Sequence, residues 1–133
     1  ASDWSSDVCS SDLARAQGVK QSVVTHPLSP VIHMTIPQMQ EAVKMGAFIE
    51  FCAGQVMPGA APEWRNNVKP YVDAIRAIGA EHALLSSDLG QPENPHPMEG
   101  WKMYLDMFRK AGISNADLDR MAKTNPATLL GLK

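Results

Sequence analysis

The sequence has 133 residues, of which 44% are hydrophobic and 20% are charged, and its formal net charge is -2. This balance is typical of one globular domain and argues against a nucleic-acid partner, which would require a basic surface. No run of about 18 apolar residues is present, which argues against a membrane span. The two cysteines stand in unlike contexts and form no metal-type pair, which favours a reducing cytoplasm.

Residues 1–13 differ from the rest of the chain. They repeat Ser-Ser-Asp and show no helical or strand period. We interpret them as an artefactual or disordered leader, resembling translated adapter sequence, and expect the folded part to comprise residues 14–133. Cys9 therefore has no expected role, and the native protein is expected to extend further before residue 14.

Two strand–helix units open the folded part. A strand is predicted over residues 19–25, and the next helix begins with a capping box formed by Thr35 and Gln38, with a proline in its first turn. A second strand is predicted over residues 47–54, because this short apolar run is bounded by glycines. The helix that follows has one apolar face and is expected to begin its regular part near Asn67.

A third unit completes the pattern. A strand over residues 82–87 precedes a helix that begins at Pro97, and two short closing helices begin near Ser114 and Asn125. The connections are long enough for parallel crossovers, but three strands are too few for a closed eight-unit barrel. We therefore predict an α/β fold, the C-terminal three βα units of an incomplete (β/α)8 barrel plus two closing helices. A small doubly wound sheet is the alternative, although no Gly-x-Gly-x-x-Gly loop supports its nucleotide-binding form.

Polar residues fall near the same end of the three predicted strands. They are His26, Glu50 and Asp88. Side chains at neighbouring strand ends of a barrel converge on one site, and His with carboxylates is the ligand set of a catalytic zinc or a similar divalent ion. Asp88 lies in Leu-Leu-Ser-Ser-Asp-Leu-Gly-Gln at 84–91, where the simpler interpretation is an aspartate that caps a turn. The alignment of three such residues favours a site.

The remaining candidates are weaker. His33 precedes the Thr35 cap and is a candidate for the same cavity, with packing at the helix start as the alternative. Cys52 lies two residues beyond Glu50 and is predicted to be a small core residue, not a nucleophile. His82 begins a strand at the opposite edge and is predicted to be structural, and His96 is expected to mark a helix start.

Four segments have a recognisable pattern when taken together. They are Val-Val-Thr-His-Pro at 23–27, Phe-Ile-Glu-Phe at 48–51, Leu-Ser-Ser-Asp-Leu-Gly-Gln at 85–91 and Asn-Pro-Ala-Thr-Leu-Leu-Gly-Leu at 125–132. This combination resembles the C-terminal part of the amidohydrolase superfamily of metal-dependent hydrolases, and most of all a phosphotriesterase-like branch with undefined substrates. The resemblance covers nearly everything from residue 18 onward.

The resemblance implies roles for three residues, and His33 is added as a candidate from its position before the Thr35 cap. Asp88 would bind the metal and take a proton from metal-bound water, and His26 would be a second ligand from the fifth or sixth barrel strand, the sixth being favoured by counting back. Glu50 and His33 would contact a ligand or the substrate from further out. The expected reaction is hydrolysis of a small C–N, C–O or P–O bond, with zinc as the expected ion and manganese or iron as alternatives.

The sequence also departs from the family pattern. It contains no His-x-His pair and lacks the bridging Lys or Glu, so this chain is expected to supply only two ligands, whereas catalytic zinc normally takes three. We therefore expect the chain alone to be inactive and marginally stable, with the activity belonging to a longer parent that acts on a small-molecule substrate. Two alternatives are a non-catalytic barrel relative that serves as a binding or assembly subunit, and a small stand-alone α/β module. The oligomeric state is left open.

Overall fold

The structure is a computed structural model that describes residues 16–132. Its centre is a sheet of three parallel strands, in the order β1 (Ser22–Thr25), β2 (Ala47–Cys52) and β3 (Ala83–Ser86). The strands are parallel because each connection carries a helix that returns the chain to the starting edge. The predicted order of elements is confirmed, while the predicted leader at residues 1–13 lies outside the described residues.

Among the described residues, five α-helices accompany the sheet. They are α1 (Ile36–Lys44), α2 (Lys69–Ile78), α3 (Pro97–Lys110), α4 (Asn115–Asp119) and α5 (Asn125–Leu129). The two closing helices are joined without a break by a π-helical turn over Arg120–Thr124. None of the described helices is long and apolar enough to cross a membrane.

The predicted helix starts are close to the observed ones. The Gln38 side chain accepts a hydrogen bond from the backbone N–H of Thr35 at 2.7 Å, as expected for the capping box at α1. The Ser114 hydroxyl accepts one from the N–H of Asp117 at 3.0 Å and caps α4. Helix α2 begins at Lys69, two residues later than Asn67, which places its proline in the first turn where a missing N–H costs nothing.

The strands are shorter than predicted, and the reason is clearest at β2. Its predicted last two residues instead begin a 3₁₀ turn over Ala53–Gln55. Strand β1 begins at Ser22 rather than at residue 19, and β3 ends at Ser86. Apolar composition sets the centre of each strand, whereas strand ends depend on whether a neighbour accepts the hydrogen bonds.

The helices pack on one face of the sheet. Ile49 and Phe51 of β2 are fully buried there, beside Leu85 of β3, because alternate residues of a strand point to the same side. On the opposite face, the register sets Thr25 beside Glu50. The first face is therefore a packed core, and the second face carries the polar groups of the strands.

The chain end is fastened to the start of β3. Asn125 is 6% exposed, and its amide group donates hydrogen bonds to the carbonyl oxygens of Ala80 at 2.8 Å and Ala83 at 2.7 Å. A buried amide with both donors satisfied is stabilising, whereas an unsatisfied one is costly. The Asn-Pro-Ala segment thus holds the closing helices against the amino end of the sheet.

Candidate metal centre

Three side chains converge at the carboxyl end of the sheet. His26 follows β1, Cys52 ends β2, and Asp88 follows β3 by two residues. The His26 Nε2 atom lies 3.6 Å from Asp88 Oδ2 and 4.0 Å from Cys52 Sγ, and the three donor atoms all lie within 4.8 Å of one another. The structure therefore brings together the two residues that the sequence predicted as ligands, and adds a third.

Two of these residues have an unusual backbone. His26 has φ 55° and Asp88 has φ 44°, in the left-handed region that non-glycine residues seldom adopt. Such conformations persist only where surrounding contacts enforce them, and they occur preferentially at functional sites. In both cases the turn directs the side chain from a strand end towards the shared cluster.

A glycine makes the position of Asp88 attainable. A Cβ atom on Gly54 would lie 2.4 Å from the backbone oxygen of Asp88, which is too close for any side chain. The Gly54 N–H also donates a hydrogen bond to the carbonyl of Ser87 at 2.9 Å. The turn after β2 and the turn after β3 are therefore in direct backbone contact.

Cys52 is buried and held in place. Its Sγ accepts a hydrogen bond from the Ser86 hydroxyl at 3.2 Å. Burial raises the pKa of the Cys52 thiol to about 11, against the opposing effect of the Ser86 hydrogen bond. The free thiol is therefore protonated at neutral pH and is a poor nucleophile.

Two buried tyrosines fix the end of β2. The Tyr71 hydroxyl shares its single proton between Gln55 Oε1 at 2.7 Å and the carbonyl of Cys52 at 3.2 Å. The Tyr104 hydroxyl donates to the carbonyl of Phe51 at 3.0 Å. These bonds satisfy carbonyl groups where the strand ladder ends, and they restrict the movement of the sulfur-bearing residue.

The other two sequence candidates lie outside the cluster. The Glu50 carboxylate accepts a hydrogen bond from the Thr25 hydroxyl at 2.7 Å, at the last residue pair between β1 and β2. His33 is exposed in the turn before α1, with φ 48°. His96 marks the start of α3, as predicted, where its Nδ1 accepts from the N–H of Met98 at 3.4 Å.

The sequence interpretation of Cys52 was incomplete. The residue is a buried small side chain, as predicted, but its sulfur belongs to the cluster with His26. The alternation of side chains along a strand could have indicated this role, because Cys52 lies on the same strand face as Glu50 and two residues nearer the strand end. Because the strand was expected to continue to residue 54, Glu50 and Cys52 could not be ranked by their distance from its end.

The cluster fits a divalent metal ion. Tetrahedral sites with bonds of about 2.0–2.3 Å separate neighbouring donor atoms by about 3.4–3.6 Å, close to the 3.6 Å and 4.0 Å observed from His26 Nε2. The His26 Nδ1 atom is buried and has no hydrogen-bond partner among the residues described, which leaves Nε2 as the nitrogen that faces the cluster. The side chains of His26 and Asp88 are 33% and 44% exposed, so an ion can reach them.

A small cavity lies at the same end of the sheet. Its volume is about 140 Å³, and it is lined mainly by apolar groups from the segments that follow β1 and β2. The lining residues include Leu28, Pro30, Gln55 and Trp64. A pocket of this size and character suits a small apolar group or ring.

Solved structures of similar fold are decarboxylases. One is the dihydroxybenzoic acid decarboxylase from Polaromonas sp. JS666, solved with bound manganese and the inhibitor 2-nitroresorcinol. Its alignment with this chain covers 91% of this chain and 36% of the decarboxylase chain, with 18% identity and TM-score 0.52. The 2,6-dihydroxybenzoate decarboxylase from Rhizobium matches 69% of this chain and 23% of its own length (22% identity, TM-score 0.44). A structure of 2,6-dihydroxybenzoate decarboxylase with 2,6-dihydroxybenzoate matches 70% and 23% (24% identity, TM-score 0.45).

At such identities the likeness to these structures shows the fold alone, and the fold agrees with the predicted α/β arrangement. The chain spans between 23% and 36% of the length of these structures. Comparison with protein-family models and with curated proteins finds no match.

Proposed function

We propose that this chain forms the last three βα units of a (β/α)8 barrel enzyme and supplies His26 and Asp88 to its divalent-metal centre. The observation that carries the proposal is the approach of His26 Nε2 to Asp88 Oδ2, 3.6 Å apart at the carboxyl end of parallel strands. Barrel enzymes place their catalytic residues at this end. Zinc is the expected ion, with manganese or iron as alternatives.

The exposed parts of the sheet support an incomplete barrel. Within residues 16–132, β1 and β3 each pair with β2 alone and leave their outer edges without a neighbouring strand. The face away from the helices leaves Val23 38% exposed. Further strands would cover both edges and this face, since a closed barrel has no edges and fills its interior with side chains.

The polar residues of this chain have different proposed roles at the metal centre. His26 and Asp88 would hold the ion, which when bound acts as a Lewis acid on water or on a substrate oxygen. Asp88 Oδ2 is accessible and acts as the proton acceptor or donor for the reacting group. Glu50, hydrogen-bonded to Thr25, is proposed as an outer contact that orients neighbouring groups or the substrate. His33, also expected to be an outer contact, lies in an exposed turn, and no role is proposed for it.

The first proposed reaction is hydrolysis of a small C–N, C–O or P–O bond. Its support is the set of sequence motifs around His26 and Asp88. The second proposed reaction is decarboxylation of a hydroxylated benzoate. Its support is the fold shared with the manganese-containing dihydroxybenzoic acid decarboxylase and the small apolar cavity between the segments that follow β1 and β2, which suits a small ring. Both reactions use the same metal ligands and the same proton-transferring carboxylate.

Activity assays on the protein that contains this chain separate these reactions. The metal-loaded protein is tested against a panel of small amides, esters and phosphotriesters, and for CO₂ release from 2,6-dihydroxybenzoate. Asp88→Asn should lower the rate of whichever reaction occurs by about 10²–10⁴-fold, as expected for loss of an acid–base group. An unchanged rate in Asp88→Asn would remove Asp88 from the mechanism.

Two non-enzymatic alternatives give different results. A barrel relative that serves only as a binding or assembly subunit would retain no divalent ion and turn over none of these substrates. A small stand-alone α/β module would unfold cooperatively as a monomer when the 133-residue chain is heated. For the incomplete barrel we expect aggregation or a broad transition, together with a strand that ends in His-x-His in the coding sequence upstream of residue 14.

A further inference from the structure

We propose that Cys52 is a third metal ligand supplied by this chain, beside His26 and Asp88, and that its sulfur makes the site select zinc over manganese. The inference rests on the proposed function, because it assumes that His26 and Asp88 bind the ion. It goes beyond that function by assigning a ligand from the middle strand and a metal preference.

The position of the sulfur is that of a ligand. Zinc–sulfur and zinc–nitrogen bonds of about 2.3 and 2.0–2.1 Å separate S and N by about 3.5 Å in a tetrahedral site. Cys52 Sγ lies 4.0 Å from His26 Nε2, so small side-chain rotations bring both atoms to bonding distance of one ion. The Asp88 carboxylate is within 4.8 Å of both donors and completes a triangle of N, S and O.

The surroundings of the sulfur are those of an oriented ligand. The Ser86 hydroxyl donates a hydrogen bond to Sγ at 3.2 Å, which favours negative charge on the sulfur. The carbonyl of Cys52 itself is held by the Tyr71 hydroxyl at 3.2 Å, so the backbone is fixed from the opposite face of the sheet. As the sulfur–metal bond forms, the thiol proton passes to solvent.

The ligand set determines which ion binds. Catalytic zinc normally takes three protein ligands, and with Cys52 the described part of this chain brings three donor atoms together, beside any that the rest of a barrel supplies. A thiolate is a soft ligand that favours zinc and cobalt, whereas manganese prefers carboxylate, carbonyl and water oxygens. The Cys52 sulfur should therefore strengthen zinc and cobalt binding and leave manganese binding almost unaffected.

Cobalt(II) titration of the protein that contains this chain tests this assignment, since a cobalt–thiolate bond gives a charge-transfer absorption in the near ultraviolet. We expect the band in the wild type and in Cys9→Ser, the matched control that removes the only other thiol of this chain. Cys52→Ser should abolish the band and lower cobalt and zinc affinity at least about tenfold, with manganese affinity changed by less than about threefold. Circular dichroism confirms that the variant keeps its fold.

A variant-free measurement complements the titration. Zinc X-ray absorption of the loaded wild type should show one sulfur neighbour at about 2.3 Å. Cobalt or zinc bound through His26 and Asp88 without a sulfur neighbour would overturn the role of Cys52 and leave the proposed function intact. A wild-type protein, containing this chain, that binds neither ion would overturn the metal centre itself and the inference with it.

Discussion

Two histidine–carboxylate pairs lie at opposite ends of the sheet and are built differently. At the amino end, His82 lies 3.9 Å from Glu81, its neighbour in the sequence. At the carboxyl end, His26 lies 3.6 Å from Asp88, which reaches it from a different strand. The first two side chains are close because their residues are adjacent in the sequence, and both are partly exposed. The second pair requires left-handed turns at His26 and Asp88, and Cys52 of β2 adds a third donor atom. The two pairs therefore differ in their capacity to bind a metal, although their interatomic distances are similar.

The largest expected effect is a loss of zinc affinity in variants of the His26–Asp88 pair but not in variants of the His82–Glu81 pair. His26→Asn and Asp88→Asn should each weaken zinc binding by more than about 100-fold, beyond the loss that outer contacts of a ligand cost. Asparagine tolerates the left-handed backbone, so these variants remove the ligand while keeping the turn. His82→Asn and Glu81→Gln are the matched controls and should bind zinc as the wild type does. Isothermal titration calorimetry measures all four, and equal losses at both ends would contradict the assignment.

The next effect concerns the backbone contact that only the carboxyl end requires. Gly54→Ala should lower the free energy of unfolding by about 1–3 kcal/mol, because the new Cβ would meet the backbone oxygen of Asp88 at 2.4 Å. Zinc affinity should fall as well, since Asp88 must move. In the control Gly100→Ala, the Cβ meets only the tip of the Leu89 side chain, which can rotate away. Urea denaturation of both variants, each made in the protein that contains this chain, gives the comparison, and equal stabilities would disprove the contact.

A third variant perturbs the amino end alone. Asn125→Ala removes two hydrogen bonds to the carbonyls of Ala80 and Ala83 and should destabilise the chain by about 1–2 kcal/mol. Zinc affinity should not change, because these carbonyls lie at the end of β3 away from the cluster. The urea midpoint measures the first effect and calorimetric titration the second. A parallel loss of zinc binding would show that the two ends are coupled.

The smallest effect at neutral pH is expected for Tyr104→Phe. Loss of the hydrogen bond to the Phe51 carbonyl should cost about 0.5–1.5 kcal/mol. Burial raises the pKa of Tyr104 well above its ordinary value of 10.0. Above about pH 10 the unfolded chain therefore ionises this tyrosine while the folded chain does not, and stability falls by up to about 1.4 kcal/mol per pH unit.

Tyr104→Phe removes this contribution. The variant should lose stability less steeply than the wild type in urea denaturation between pH 9 and pH 11, roughly the range around the tyrosine pKa. Identical slopes would mean that Tyr104 titrates freely in the folded chain. Because the hydroxyl holds the end of β2, the variant also shows whether that end tolerates the loss of one of its two tyrosine contacts.

Much of the fold follows from local sequence. Apolar runs bounded by glycines predicted the three strands, and the Thr35 and Ser114 caps predicted two helix starts, because these signals act over a few residues. The parallel arrangement followed from connections that each carry a helix. Strand ends were predicted less well, since they depend on hydrogen bonds to residues distant in the sequence.

The candidate site also combines features that local sequence predicts with features that depend on tertiary contacts. The sequence by itself determined that His26 and Asp88 follow strands at one edge, because parallel strands bring their carboxyl ends together. The tertiary structure places Cys52, and not Glu50, beside His26 and Asp88. The strand register, the left-handed turns and the contact of Gly54 with Asp88 set this choice. The register and the contact of Gly54 with Asp88 join segments distant in the chain, and the left-handed turns persist only where such contacts enforce them, so no local pattern of residues encodes the arrangement.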